Sequence, residues 1–176
     1  QAISRGRNAK WDAIQVFSKS NYQWAAKEIS DEDVDALLNA IKDTGIPIAC
    51  AHANYLINLA SPDPELSNRS SRALVVELKR YNLLEIPYLV IHPEAHVGGG
   101  KSAGLQCVAK MVDKTYERVP GNEVVLCLET TAGQGNRLGH KFEHLAEIIR
   151  CGVPRFLPHF RCQAIRFGKR EIFLEP

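Results

Sequence analysis

The single methionine of this 176-residue chain is internal, Met111, and no apolar run is long. A spanning helix needs about 20 consecutive apolar residues, so no membrane is expected among its partners. The N-terminal QAISRGRNAK lacks the apolar centre of a signal peptide. Without an initiator methionine, the chain is expected to begin inside a longer protein. Charge is scarce in net terms: 22 Lys+Arg against 20 Asp+Glu leave +2. That balance is too mild to argue for nucleic acid by itself; a polyanion would need the basic residues gathered on one face. The five cysteines, Cys50, Cys107, Cys127, Cys151 and Cys162, form no C-x-x-C pair, and their number is odd. A disulfide scaffold is therefore not expected. Reduced, buried thiols in the cytoplasm, or in the nucleus of a eukaryote, are the reading.

Two motifs are also missing. Gly98 to Gly100 lacks the G-x-G-x-x-G order of a dinucleotide fingerprint, and the loop that holds it reads as flexible. In HKFEH, Glu143 sits before the second histidine, where H-E-x-x-H requires it after the first. His140 and His144 therefore read as part of an ordinary packed helix.

What is present is alternation. WDAIQVF (11–17), PIACAH (47–52), YLVIHP (88–93) and VVLCLE (124–129) read as short buried strands. Between them lie helical patterns. Ser30 with Asp33 makes a capping box ahead of Val34, Leu37, Leu38 and Ile41, and Gly45 is placed to close that helix. Leu74, Leu78, Tyr81 and Leu84 mark the next, with Pro87 beyond it. Leu105, Val108, Val112 and Tyr116 mark a third, followed by a PGN turn at 120–122. Phe142, Leu145, Ile148 and Ile149 mark a fourth, with Gly152 near its end. Such alternation predicts right-handed crossovers and a parallel sheet, an α/β fold. A doubly wound sheet and part of an eight-fold barrel both satisfy the periodicity. After Gly152 the pattern fails: residues 151–176 are basic, carry two interrupting prolines and give no strand or helix, a divergent tail behind a 1–150 unit.

Three strands end in a metal-capable side chain: His52, His92 and Glu129. Parallel sheets gather ligand chemistry at the carboxyl ends of their strands. Two histidines and a carboxylate suit zinc, and equally iron or manganese. His96, four residues after His92, reads as exposed. The loops SKSNYQW, NYLINL and TAGQGNRLGHK add Lys19, Tyr22, Trp24, Tyr55, Leu56, Arg137 and Lys141. Aromatic and apolar wedges among cations suit stacking on bases or parting them; the plainer reading has Trp24, Tyr55 and Leu56 sealing loops onto the core.

Taken together, H-x-x-Y-L-I-N-L, H-P-x-x-H and E-x-T-A-G-Q-G, in this order and spacing, closely resemble the endonuclease IV family of apurinic/apyrimidinic endonucleases. The likeness runs from about residue 11 to 150. It implies a xylose isomerase-like (β/α)8 TIM barrel, here incomplete, with about four βα units. It implies three zinc ions per barrel and cleavage of double-stranded DNA 5′ to an abasic site, leaving a 3′ hydroxyl in base excision repair. By motif, His52, His92 and Glu129 look like the ligands of one zinc, with Glu129 also catalytic as a bridge to a second. Tyr55 and Leu56 resemble residues that enter the DNA, and Tyr22 with Gln23 occupies the place of the inserting first loop. Glu94 stands where glycine is usual after H-P. Phe160 and Gln163 stand at two ligand positions of the next strand, and an earlier histidine-bearing strand is missing. Ligands for about one zinc are thus expected. A TIM-barrel sugar isomerase or epimerase, or a non-catalytic metal- or DNA-binding fragment, are the alternatives.

Overall fold

A computed structural model describes residues 2–152 and the pair 160–161. The elements run α1 (Ala2–Asn8), β1 (Ile14–Val16), α2 (Asp31–Thr44), β2 (Ile48–His52), α3 (Pro64–Leu83), β3 (Tyr88–Ile91), α4 (Lys101–Glu117), β4 (Val125–Leu128), α5 (Phe142–Cys151) and β5 (Phe160–Arg161). The five strands lie side by side in chain order, every neighbouring pair parallel. Sequential parallel order with a helix after each strand is the winding of a barrel wall; a doubly wound sheet would reverse its order partway.

Two helices, α2 and α3, are started by side-chain caps. Ser30 accepts from the Asp33 N–H while the Asp33 carboxylate accepts from Ser30 N–H, and Gly45 closes α2 in the left-handed region at φ 70°. Asp63 caps α3 by accepting from Glu65 N–H, with Pro64 in the first turn, where its missing donor costs nothing. The core lies between sheet and helices: Leu74, Leu78 and Tyr81 of α3, Leu105 and Val112 of α4, and Leu145 and Ile148 of α5 meet Ala51, Leu89, Ile91, Leu126 and Leu128. Each such side chain stabilises the fold by about 1.5–3 kcal/mol. The alternate strand residues Cys50, Val90 and Cys127 form a second small cluster on the other face.

Several expectations change. WDAIQVF contributes only three strand residues, with Trp11 left 57% exposed. The N-terminal residues form α1, whose Ile3 and Gly6 are buried; seven residues give too little periodicity to announce a helix. No residue of α2 is fully buried, so its apolar stripe only leans on the core. Phe142 is 66% exposed and stands outside the α5 stripe. Gly152 caps α5 in extended conformation at φ −71°. Of the four described cysteines, Cys50 and Cys127 are buried, Cys107 is half-buried and Cys151 is exposed. The tail does supply a strand: Phe160 and Arg161 pair with Leu126 and Cys127. Backbone pairing along an open strand edge asks for no side-chain pattern, which is why the sequence hid it. The rest of the tail, with Cys162 and Gln163, lies outside the described residues.

Candidate metal centre

Side chains alternate faces along a strand. With Ala51, Ile91 and Leu128 committed to the helices, the next residues, His52, His92 and Glu129, fall on the opposite face at the strand ends. The ladder holds those ends in register: Ala53 N–H donates to the Val90 carbonyl (2.8 Å) and Glu129 N–H to the Ile91 carbonyl (2.9 Å). The structure accordingly brings the three together. His52 Nε2 lies 3.2 Å from Glu129 Oε2, His92 Nε2 lies 3.8 Å from the same oxygen, and one donor atom from each falls within 4.8 Å of the others. Ligands on a tetrahedral ion with arms of about 2.1 Å stand about 3.4 Å apart. The donor set therefore fits a divalent cation with little movement.

The tautomer fits as well. His52 Nδ1 lies 2.7 Å from the Ala53 carbonyl; a carbonyl only accepts, so Nδ1 carries the proton. Nε2 is left as a lone pair facing a carboxylate oxygen, an arrangement that requires a proton or a cation between them. Orientation of a ligating ring by a backbone carbonyl is the usual support of a metal site. In the metal-free chain His52 is held above the ordinary imidazole value. Burial, the largest single influence, lowers it, but the Glu129 hydrogen bond, the Ala53 carbonyl and the charges of Glu129 and Glu94 outweigh burial. His92 moves the other way: burial, reinforced by His52 and Arg137, outweighs the pull of Glu129. Among the described residues His92 Nδ1 is buried with no partner in good hydrogen-bond geometry, although the Glu129 backbone pulls on the ring, so it is held less firmly than His52.

An aromatic file leads away from the cluster. His52 and His92 centroids are 5.1 Å apart; Tyr55 lies 5.1 Å from His52 and stacks on His92 at 6.5 Å; Tyr22 follows at 5.7 Å from Tyr55. Tyr22 is 70% and Tyr55 40% exposed, while Leu56 is half-buried and Gln23 is exposed. Trp24 instead packs against the core beneath the Arg69 guanidinium, 4.5 Å from the ring, as the sealing reading has it.

The loop carrying Tyr22 is tied down by buried polar groups that the sequence did not single out. Asn54 donates to the Ser20 and Gln23 carbonyls, and Tyr55 N–H to that of Asn21. Arg80 donates to the Ser18 hydroxyl and to the Ser18 and Lys27 carbonyls. Lys19 is a correction: its ammonium is buried, 3.4 Å from Glu77 and 3.0 Å from the Gln23 carbonyl, so it holds the loop and is not a cation for a polyanion. The sequence could not pair residues 58 positions apart.

Two further corrections concern histidines. His96 is half-buried, and its Nδ1 accepts from Gly100 N–H. With Gly99 N–H on the His96 carbonyl and His96 N–H on that of Asn136, the triple-glycine loop is hydrogen-bonded in place. His144 is buried on α5 and accepts from Gly139 N–H, its ring edge-on to His140 at 4.6 Å; it packs as read, whereas His140 precedes α5 and is exposed. Phe17 and Glu94 were missed. Phe17 sits 5.5 Å from His52 and 5.7 Å from Tyr55, at the end of β1 as the ligands are at the ends of theirs. That shared position was the available signal. Glu94 adopts φ 63°, a region only glycine enters freely, which gives the physical reason for a glycine there in the resembling family. No described helix is long and apolar enough to cross a membrane.

Comparison with known proteins agrees with this arrangement. The family model for xylose isomerase-like TIM barrels matches residues 3–151. A probable endonuclease 4 of Chloroflexus aurantiacus is 44% identical over 149 residues, 85% of this chain and 52% of that protein. One from Geobacter sp. is 34% identical over 148 residues, 84% of this chain and 52% of that protein. The chain spans about half the length of these relatives. Endonuclease IV from Thermus thermophilus superposes with a TM-score of 0.71 at 27% identity, covering 93% of this chain and 55% of that one. A D-tagatose 3-epimerase-like protein reaches 0.68 at 16% identity, covering 86% and 55%, a likeness of fold alone. With its βα order, its strand-end triad and these matches, the chain belongs to the endonuclease IV family of xylose isomerase-like TIM barrels.

Proposed function

We propose that this chain carries part of a zinc-dependent abasic-site endonuclease: one zinc on His52, His92 and Glu129, with duplex DNA against Tyr22, Gln23, Tyr55 and Leu56. The observation that carries the reading is the continuity of metal triad and exposed aromatics, with Tyr55 stacked on His92. A bound zinc supplies Lewis acidity toward a phosphodiester and toward water.

The chain's own residues supply the rest. Ala53 holds the His52 ring with its lone pair forward. Glu129 Oε2 lies near Nε2 of both histidines, so Glu129 would share one ion with them and would have its second carboxylate oxygen to offer to another. Tyr22 and Tyr55, one mostly and one partly in water, give flat faces where bases or a base-free gap can rest; stacking of this kind contributes about 1–3 kcal/mol per base. Their loop is preorganised by Asn54, Lys19 and Arg80, so little ordering entropy remains to be spent on binding.

Zinc content per chain, together with binding and incision of a duplex carrying one abasic site, tests the reading. One zinc per chain, tighter binding of the abasic than of the intact duplex, and any incision abolished by chelator are expected. A chain without zinc affinity, or one that binds the two duplexes equally, overturns it.

A further inference from the structure

We propose that Arg137, held beside the triad by Glu94, is a phosphodiester-binding residue of this chain. The inference rests on the reading above and names a contact within it.

The backbone around Arg137 is fixed. The loops after β3 and β4 join in a short antiparallel ribbon: Ala95 bridges Arg137, Leu138 N–H donates to the Glu94 carbonyl at 2.7 Å, and His96 N–H to the Asn136 carbonyl at 3.1 Å. Gly139, at φ 87°, lets this ribbon press on Pro93, the residue after His92; a Cβ there would meet the proline ring at 2.9 Å. The ribbon is thus seated on a metal-ligand strand end.

The side chain, by contrast, is uncommitted. Half of it is in water, and its Nη1 stands 3.9 Å from Glu94 Oε2, an ion pair beyond hydrogen-bond distance. Among the described residues this is the contact the guanidinium makes. A guanidinium carries five N–H donors in a planar fork, so it can turn two toward an incoming phosphate and keep its charge near Glu94.

Charge arithmetic points the same way. A divalent ion on two neutral histidines and one carboxylate carries a net +1, and a phosphodiester brings −1. Glu94, with a side chain only 14% exposed, would add a repelling −1 at the same rim unless a cation accompanied it. Arg137 is that cation, and Lys19 is not, since Glu77 holds it. Glu94 occupies a left-handed backbone position at φ 63°; strain of this kind persists where a side chain is needed at a site.

The test is the salt dependence of binding to a short duplex with a tetrahydrofuran abasic analogue, and to the same duplex intact, for the zinc-loaded chain, Arg137→Gln and Glu94→Gln. Arg137→Gln is expected to weaken binding several-fold at low salt and to lower the slope of log K against log salt by about one, the signature of one lost phosphate contact. Glu94→Gln is expected to strengthen binding, and by less. An unchanged slope in Arg137→Gln overturns the inference while leaving the abasic-site reading in place. A lowered slope on two duplexes bound equally by the parent chain upholds the phosphate contact and overturns the abasic-site reading instead. A parent chain that binds neither duplex overturns both.

Discussion

Two ion pairs involve the loops that follow β1, β3 and β4, and they are opposites. Lys19–Glu77 is closed in, 3.4 Å apart with side chains 6% and 1% exposed; Glu94–Arg137 is loose, 3.9 Å apart with 14% and 50% exposed. The first ties a loop to α3, beside the Asn54 and Arg80 hydrogen bonds. Around the second the backbone does the tying and the charges stand at the rim. The contrast separates two uses of charge near one site. A buried pair fixes a loop and has no freedom left for a ligand. A rim pair stabilises little but can exchange its partner for a substrate anion.

The largest effect comes from breaking the buried pair. Lys19→Met leaves the Glu77 carboxylate, 1% exposed, buried without its cation. A loss of about 3–5 kcal/mol is expected by urea unfolding. Replacing both partners, Lys19→Met with Glu77→Leu, is expected to recover most of that loss, because the uncompensated charge goes too. If the single variant costs no more than an exposed pair would, the burial argument fails.

Next comes the metal. Zinc that binds only the folded chain stabilises it by about 2.7 kcal/mol when free zinc is 100 times its dissociation constant. Thermal unfolding with and without chelator should show that shift in the parent chain and not in His52→Ala or His92→Ala. A shift that survives His52→Ala would place the zinc elsewhere.

A third, smaller effect is pH dependence without metal. His52 is held above its ordinary value, so its contribution is fully present below the unfolded pKa of about 6.5 and is lost as pH rises through the folded value. In a His92→Asn background, where the opposing histidine is gone, metal-free stability should fall over that window. Adding Glu129→Gln removes the largest of the influences that oppose burial and should flatten that fall. A slope indifferent to Glu129→Gln would mean that the His52–Glu129 contact is not formed in solution.

What could be read in advance followed what is local. Strand ends at His52, His92 and Glu129 were legible because period-two alternation fixes their face and βα order fixes their end. The caps at Ser30 and Gly45 were legible because capping is a matter of neighbouring residues. Lys19 was misread because its partner lies on α3, and no local pattern distinguishes a cation that meets water from one that meets Glu77. Phe160 and Arg161 gave no strand by pattern, because an open edge pairs through backbone alone; the family resemblance placed a next strand there, and the pairing bears that out. Glu94 stood in plain view as a departure from glycine, but its left-handed φ was needed to show what the departure costs.

That cost supplies the smallest prediction and the sharpest test of the rim pair. At an ordinary position alanine is more stable than glycine by about 0.4–1 kcal/mol, because glycine gives the unfolded chain more freedom. At φ 63° the order should invert, since a Cβ in the left-handed region costs about 1–2 kcal/mol. Glu94→Gly and Glu94→Ala both delete the carboxylate and both release Arg137, so their difference isolates the backbone. Glu94→Gly should be the more stable of the two, by up to about 1 kcal/mol in denaturant unfolding. Its duplex binding should match that of Glu94→Ala, because the charge at the rim is the same in both. If alanine proves the more stable, the backbone at Glu94 is unstrained, and the carboxylate needs no functional reason to be there.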